Sequence, residues 1–118
     1  MDASPAADRP VPAVPARAAF EVHVLPDRPG IRAGGEISTA TGSVWREALS
    51  QLARRHTGVS YVDLSDVAFV DVAAVTALAV TALNLPEGRM VVEHPPPQLS
   101  RVLQMFWPGQ NRIEVRPR

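Results

Sequence analysis

The sequence predicts an α/β fold, with a mixed central sheet of about five strands and three to four helices. Two observations carry this prediction. An opening pair of strands is followed by strands and helices that alternate along the chain, and the strand that begins at Val59 is apolar on both sides, as in a covered parallel sheet. Because strands joined through helices pair in parallel and a hairpin pairs antiparallel, the sheet should be mixed.

The two ends of the chain differ in composition. Residues 1–17 are rich in Ala and Pro and show no apolar periodicity, which predicts a disordered tail. Residues 18–118 are long enough to bury a core and should form one domain.

Alternation and turn residues predict the opening hairpin. Phe20, Val22 and Val24 alternate with polar residues along a half-buried first strand. A turn with Pro at both ends separates it from a second strand over residues 31–37. Two adjacent glycines in the second strand should mark a bulge or a close approach of the backbone.

A first helix is predicted over residues 42–56, with Thr41 as its N-cap. Its apolar positions recur every three or four residues, as expected for a buried stripe: Trp45, Ala48, Leu49, Leu52 and His56. Arginines in the last turn suit the helix dipole, and Gly58 should end the helix.

The most informative stretch follows. It predicts a buried strand over residues 59–64, a tight acidic turn, and a second helix over residues 72–83 that opens on Asp71. No side chain is charged over residues 72–86. A helix that is apolar all round is either fully buried or presents an apolar face to a partner, and full burial is hard in a chain this short. The stretch therefore favours a binding module over an enzyme.

Three further elements complete the predicted domain. They are a strand over residues 90–93, a third helix over residues 97–106 and a short edge strand over residues 113–115. Pro97 suits the first turn of the third helix. Its buried stripe should consist of Leu99, Val102, Leu103 and Phe106.

Composition excludes several classes of function. Twelve acidic residues balance twelve basic ones, and there is no cysteine, so gross charge does not favour nucleic acid and Cys chemistry is absent. The three histidines fall on different predicted elements without ligand spacing, and neither a metal nor a cofactor is expected. No signal-peptide pattern is present, and the uncharged run is too short to span a bilayer, so a cytoplasmic protein is expected.

Asp63 and Asp66 could suggest paired-carboxylate chemistry. No histidine or nucleophile lies near them in the sequence, so turn and capping roles are favoured and the chain is not expected to be an enzyme.

Two segments resemble the STAS domain of bacterial anti-sigma factor antagonists. Residues 35–41 read G-E-I-S-T-A-T, similar to the family's G-E-(I/L)-D-x-x-(T/S). Residues 63–75 read D-L-S-D-V-A-F-V-D-V-A-A-V, similar to D-L-S-x-V-x-(F/Y)-(I/V/M)-D-S-(S/A)-G-L. A weaker match lies in the third helix. The resemblance implies a small protein that binds an anti-sigma factor, often one with a histidine-kinase-like ATPase fold.

The departures from the family pattern concern its switch. In switchable members the residue after the motif's Asp is a phosphorylated Ser, and here it is Val72. The family's Asp after G-E-(I/L) is Ser38 in this chain. A phosphate would add roughly −1.5 to −2 charges beside the acidic residues, which would expel the partner. Val72 is thus a degenerate phosphoacceptor position, and Thr76 or Ser65 would be the substitute hydroxyls.

A surface around the second helix is the predicted contact site. Helical spacing should bury Val75, Leu78, Ala79 and Ala82 and leave the opposite side outward. The residues predicted to bind the partner are Asp66, Asp71, Val72, Ala73, Thr76 and Val80.

Two other functions stay open at this point. The chain could be a scaffold subunit that co-assembles with other STAS domains or with itself, or a domain that binds a small ligand or nucleotide. Neither nucleic acid nor a membrane is an expected partner. A monomer or dimer would favour the regulatory module, and a high oligomer would favour the scaffold.

Overall fold

The computed structural model describes residues 20–118. The predicted disordered tail over residues 1–17 lies outside this part of the chain. Residues 20–118 form the following strands and helices in order: β1 (Phe20–Val24), β2 (Gly30–Ile37), α1 (Gly42–Arg54), β3 (Val59–Val70), α2 (Val72–Leu83), β4 (Arg89–Glu93), α3 (Pro97–Phe106) and β5 (Ile113–Arg116). A 3₁₀ turn (Thr39–Thr41) precedes α1. The predicted α/β class is confirmed.

The five strands form one sheet in the order β1-β2-β3-β4-β5. β1 pairs antiparallel with β2, and the other neighbours pair in parallel, so the sheet is mixed as predicted. Gly30 is required where β2 begins, because a Cβ there would lie 2.1 Å from the Tyr61 carbonyl oxygen.

β3 is longer than predicted and corrects the expectation of a tight acidic turn after Leu64. The strand continues to Val70 and pairs with β2 up to this last residue. The register shifts twice, between Arg32 and Gly34 and again between Gly35 and Glu36, and each time β3 carries the extra residue. The two bulges let the turn-forming residues after Leu64 stay within β3, because the backbone of β2 offers them hydrogen-bond partners. The predicted irregularity at the paired glycines is confirmed.

All three helices contribute to one core on the same side of the sheet. α1 packs against α2, and α2 packs against α3. The largest fully buried side chains come from both layers: Ile37, Trp45, Leu49, Leu64, Leu78, Met90 and Leu99. The indole Nε1 of Trp45 donates to the carbonyl oxygen of Ala74 at 2.9 Å, which ties α1 to the first turn of α2.

On the opposite side of the sheet, residues 20–118 place an ion-pair network and no helix. Glu93 is buried between the guanidinium groups of Arg28 and Arg116, and Arg116 also bonds Glu114 at 2.9 Å. The hydrogen bond from Arg116 lowers the pKa of Glu114, and the bond to Glu93 raises the pKa of Arg28.

The start of α1 differs from the prediction. Thr41 occupies the N-cap position, but its side chain forms no capping hydrogen bond. Its hydroxyl instead donates to the Glu36 carbonyl at 2.9 Å and accepts from the Ser38 N–H at 3.0 Å. Thr41 therefore stabilises the 3₁₀ turn between β2 and α1.

The end of α1 also differs, because the helix stops at Arg54 and His56 lies beyond it. The His56 ring bonds the Ser60 hydroxyl at 2.6 Å and the Glu87 carbonyl at 2.9 Å. His56 thus links the loop after α1 to the loop after α2.

The predicted stripe of α3 is correct except at its end. Leu99 and Leu103 are buried and Val102 packs against the core, whereas Phe106 is 56% exposed. Phe106 is the last residue of α3, past the edge of the core, and its ring meets Trp107 edge to face at 6.0 Å.

Candidate partner-binding surface

The junction between β3 and α2 is held by Asp71. Its Oδ1 accepts a hydrogen bond from the Ala74 N–H at 2.8 Å, which is the N-cap role that the sequence predicts. Its own N–H donates to the Ile37 carbonyl at 3.1 Å, so the start of α2 is also fixed to the end of β2. The first turn of α2 is therefore anchored by backbone and side-chain bonds together.

The two sides of α2 separate as predicted. Val75, Leu78, Ala79 and Ala82 are all buried against the sheet and the neighbouring helices. Val72 is 52% exposed and Val80 is 48% exposed on the outer side. We call Val72, Ala73, Thr76 and Val80 the outer α2 surface, in which Ala73 is exposed and Thr76 half-buried.

One further apolar side chain extends this surface. Leu83 ends α2 and is exposed, and it could have been found from the sequence, since it follows Val72 by eleven residues and so continues the same helical stripe. Phe69 near the end of β3 is also exposed. It pairs with Glu36 and precedes Val70, which is buried in the core, so strand alternation directs Phe69 to the other side of the sheet.

Thr76 is the hydroxyl nearest to the degenerate phosphoacceptor position on α2. Its Oγ1 donates to the Val72 carbonyl at 2.9 Å. This bond within the helix uses the hydroxyl proton, as is common for Thr in helices. Val72 itself places two methyl groups where the family pattern has a hydroxyl.

Asp66 does not lie with the other predicted contact residues. It sits within β3 opposite Gly34, and its carboxylate faces the Arg32 guanidinium at 3.7 Å. Five residues of extended chain, about 16 Å, separate it from Asp71. The structure thus brings Asp71, Val72, Ala73, Thr76 and Val80 together and leaves Asp66 apart.

Asp63 has a local backbone role, because its carboxylate accepts the Ser65 N–H at 2.9 Å. Ser65 itself is exposed in β3, away from α2. Within residues 20–118, neither the Asp63 nor the Asp66 carboxylate hydrogen-bonds a histidine or a hydroxyl.

The chemistry available at the outer α2 surface is binding by shape and apolar contact. The four residues of this surface are uncharged. The preceding Asp71 is charged, and its carboxylate is engaged in the N-cap hydrogen bond. Residues 20–118 hold no group of three His, Cys, Asp or Glu that could bind a metal ion. None of the helices in this part of the chain is long and apolar enough to cross a membrane.

Comparisons with known proteins agree with this architecture. The structure is similar to the crystal structure of an anti-sigma factor antagonist from Mycobacterium paratuberculosis, with a TM-score of 0.70 and 20% sequence identity over 84% of this chain and 86% of that chain. It is also similar to the anti-sigma factor antagonist SpoIIAA in its unphosphorylated form, with a TM-score of 0.59 and 18% identity over 82% and 87% of the two chains. At these identities the likeness concerns the fold.

The sequence gives no significant match to any curated protein. The family model described as "Mlab, STAS domain" matches residues 21–107, which include the sheet up to β4 and all three helices. The protein therefore belongs to the STAS domain family.

Proposed function

We propose that this protein is a non-enzymatic regulatory module of the anti-sigma factor antagonist type. The proposed partner is an anti-sigma factor or a related protein with a histidine-kinase-like ATPase fold. The proposed contact is the outer α2 surface, extended by Leu83. The module acts in the cytoplasm and binds without the serine phosphorylation that switches other members.

The observation that carries the proposal is the exposure of Val72 and Val80 on a helix without a single charged side chain. Neither residue is needed for the core, because the opposite side of α2 already buries four side chains. Exposed apolar groups that cluster on one element are typical of interaction sites. The two structural neighbours named as anti-sigma factor antagonists support the same class of partner.

The residues at the start of α2 support the proposed absence of a phosphorylation switch. Val72, Ala73 and Ala74 carry no hydroxyl, and the Thr76 hydroxyl is bonded to the helix backbone. An unphosphorylated surface stays apolar at all times, so partner binding depends on the amounts of the two proteins. Incubation with a cognate kinase and ATP should leave the intact mass of the protein unchanged.

The experiment is capture of partners from the native host by the full chain, followed by mass spectrometry and titration of the purified partner. Ala73→Glu should abolish capture, because it places a charge in the apolar contact, whereas Ser50→Glu on the exposed side of α1 should not. Circular dichroism would verify that both variants fold. Capture that is equal for both variants, or a stoichiometric phosphate on Thr76 or Ser65, would contradict the proposal.

A further inference from the structure

A second apolar surface lies at the other end of the helical layer, between α1 and the edge strand β1. It is a groove of about 730 Å³ whose walls include Val22, Leu25, Ala48 and Leu52. Two large aliphatic side chains border it, Val24 at 69% and Val44 at 52% exposure. Surfaces of this kind are usually covered by a partner.

The groove is separate from the outer α2 surface. α2 packs against the other flank of α1, where Trp45 bonds Ala74, and no residue of α2 lines the groove. A partner bound along α2 would therefore leave the groove open.

We propose that the groove is covered by a second copy of this chain, with the two α1 helices antiparallel across a two-fold axis. This inference goes beyond the proposed function, since it concerns another surface and another partner. In a two-fold interface the same patch of both copies meets. Each charged group must therefore face a group of opposite charge when the second helix runs in the reverse direction. The exposed side of α1 meets this condition.

The complementary charges are Glu47 and Arg55, which both line the groove. They are eight residues apart on the helix, about 12 Å, with the acid toward the N-terminus and the base at the C-terminal end. Antiparallel helices place Glu47 of each copy opposite Arg55 of the other, whereas parallel helices place like charges together.

Both groups have capacity for such a contact. Within residues 20–118 Arg55 forms no ion pair, and Glu47 makes only an exposed contact of 3.8 Å with Arg54 and a hydrogen bond of 3.1 Å from Gln51.

The centre of the patch also suits a two-fold axis. Gln51 lies halfway between Glu47 and Arg55 and faces the groove. Its amide both donates and accepts, so two Gln51 side chains can bond each other across the axis. Ala48 is small and lets the helices approach. The same arrangement directs Val44 of each copy toward the Arg55 end of the other groove, which Leu25 and Pro29 border.

The test is sedimentation velocity of the full chain over a concentration series. The wild type should form a dimer that dissociates on dilution. Glu47→Arg and Arg55→Glu should each weaken the dimer roughly tenfold, because each sets like charges opposite one another twice. The double charge reversal should restore the dimer to within about threefold of the wild type. Val44→Glu should abolish it.

Circular dichroism verifies the fold of each variant, all of which change exposed positions. A chain that stays monomeric at every concentration would overturn the proposal, as would a dimer that survives Val44→Glu. Single reversals that weaken the dimer without rescue by the double reversal would overturn the antiparallel arrangement. Ala73→Glu should leave the dimer intact while abolishing capture of the α2 partner, so the two proposals fail or succeed separately.

Discussion

α1 and α2 are neighbours of similar length that solve the same packing problem with different sequences. Each buries one stripe over the sheet, at Trp45, Leu49 and Leu52 in α1 and at Val75, Leu78 and Ala79 in α2. The outer side of α1 carries charged residues, and the outer side of α2 carries none. Packing requires the inner stripe only, so the apolar outer side of α2 needs another explanation, and partner binding supplies one.

The largest expected effect is a loss of stability when the buried inner side of α2 is changed. Leu78 is fully buried, so Leu78→Ala should lower the free energy of unfolding by about 2–5 kcal/mol. Val80→Ala, two residues away on the outer side, should cost less than about 1 kcal/mol because half of the side chain already meets solvent. Urea unfolding followed by circular dichroism measures both. Equal losses for the two variants would mean that both sides of α2 are core.

The next effect concerns binding and not stability. Thr76→Arg should weaken partner binding by about 2 kcal/mol or more, since it inserts a charge into the centre of the outer α2 surface. The lost hydroxyl bond to Val72 is local, so the free energy of unfolding should change by only about 0.5 kcal/mol. Isothermal titration with the captured partner gives the affinity. An unchanged affinity in a folded variant would place the contact elsewhere.

A smaller effect on stability concerns the N-cap of α2. Asp71→Ala should cost about 1 kcal/mol of stability, because the Ala74 N–H loses its side-chain acceptor. Asp71→Asn keeps a capping oxygen and should retain most of that stability. The prediction would be contradicted if thermal unfolding gave the same midpoint for the Ala variant and the wild type.

The smallest effect lies in the ion-pair network on the side of the sheet opposite the three helices. The Arg116 hydrogen bond lowers the pKa of Glu114 below its ordinary value of 4.5, so the folded state favours the ionised carboxylate. The contribution of Glu114 to the free energy of unfolding is present above that ordinary value and is lost as the pH falls through the lowered pKa. In Glu114→Gln this dependence should be absent, so the free energy of unfolding should fall less steeply below about pH 4 than in the wild type. If urea titrations gave the same pH dependence for the two proteins, the pair would contribute nothing.

The elements with strong periodicity follow from local sequence. The bounds of α2 and α3 agree with helical spacing, with Asp71 as an N-cap and Pro97 in a first turn. The inner stripe of α2 agrees as well, because side chains three and four residues apart share a face in any helix.

The differences arise where distant backbone groups compete with local preferences. Acidic and small residues after Leu64 favour a turn, yet they stay in β3 because β2 supplies hydrogen bonds and two bulges absorb the extra residues. The β2 partner of β3 lies outside any local window of the sequence. Thr41 differs for a more local reason: it sits at a cap position, but its hydroxyl accepts from the Ser38 N–H and donates to the Glu36 carbonyl in the turn before α1.

By itself, the sequence determined the fold class, the order of the elements, the inner side of α2 and the loss of a hydroxyl at Val72, because each depends on residue type or on short-range spacing. The tertiary structure alone decided that Asp66 lies apart from Asp71 and that α1 and β1 enclose a groove. Those features depend on strand register and on the packing of elements far apart in the chain, where bulges and sheet edges set which side chains meet.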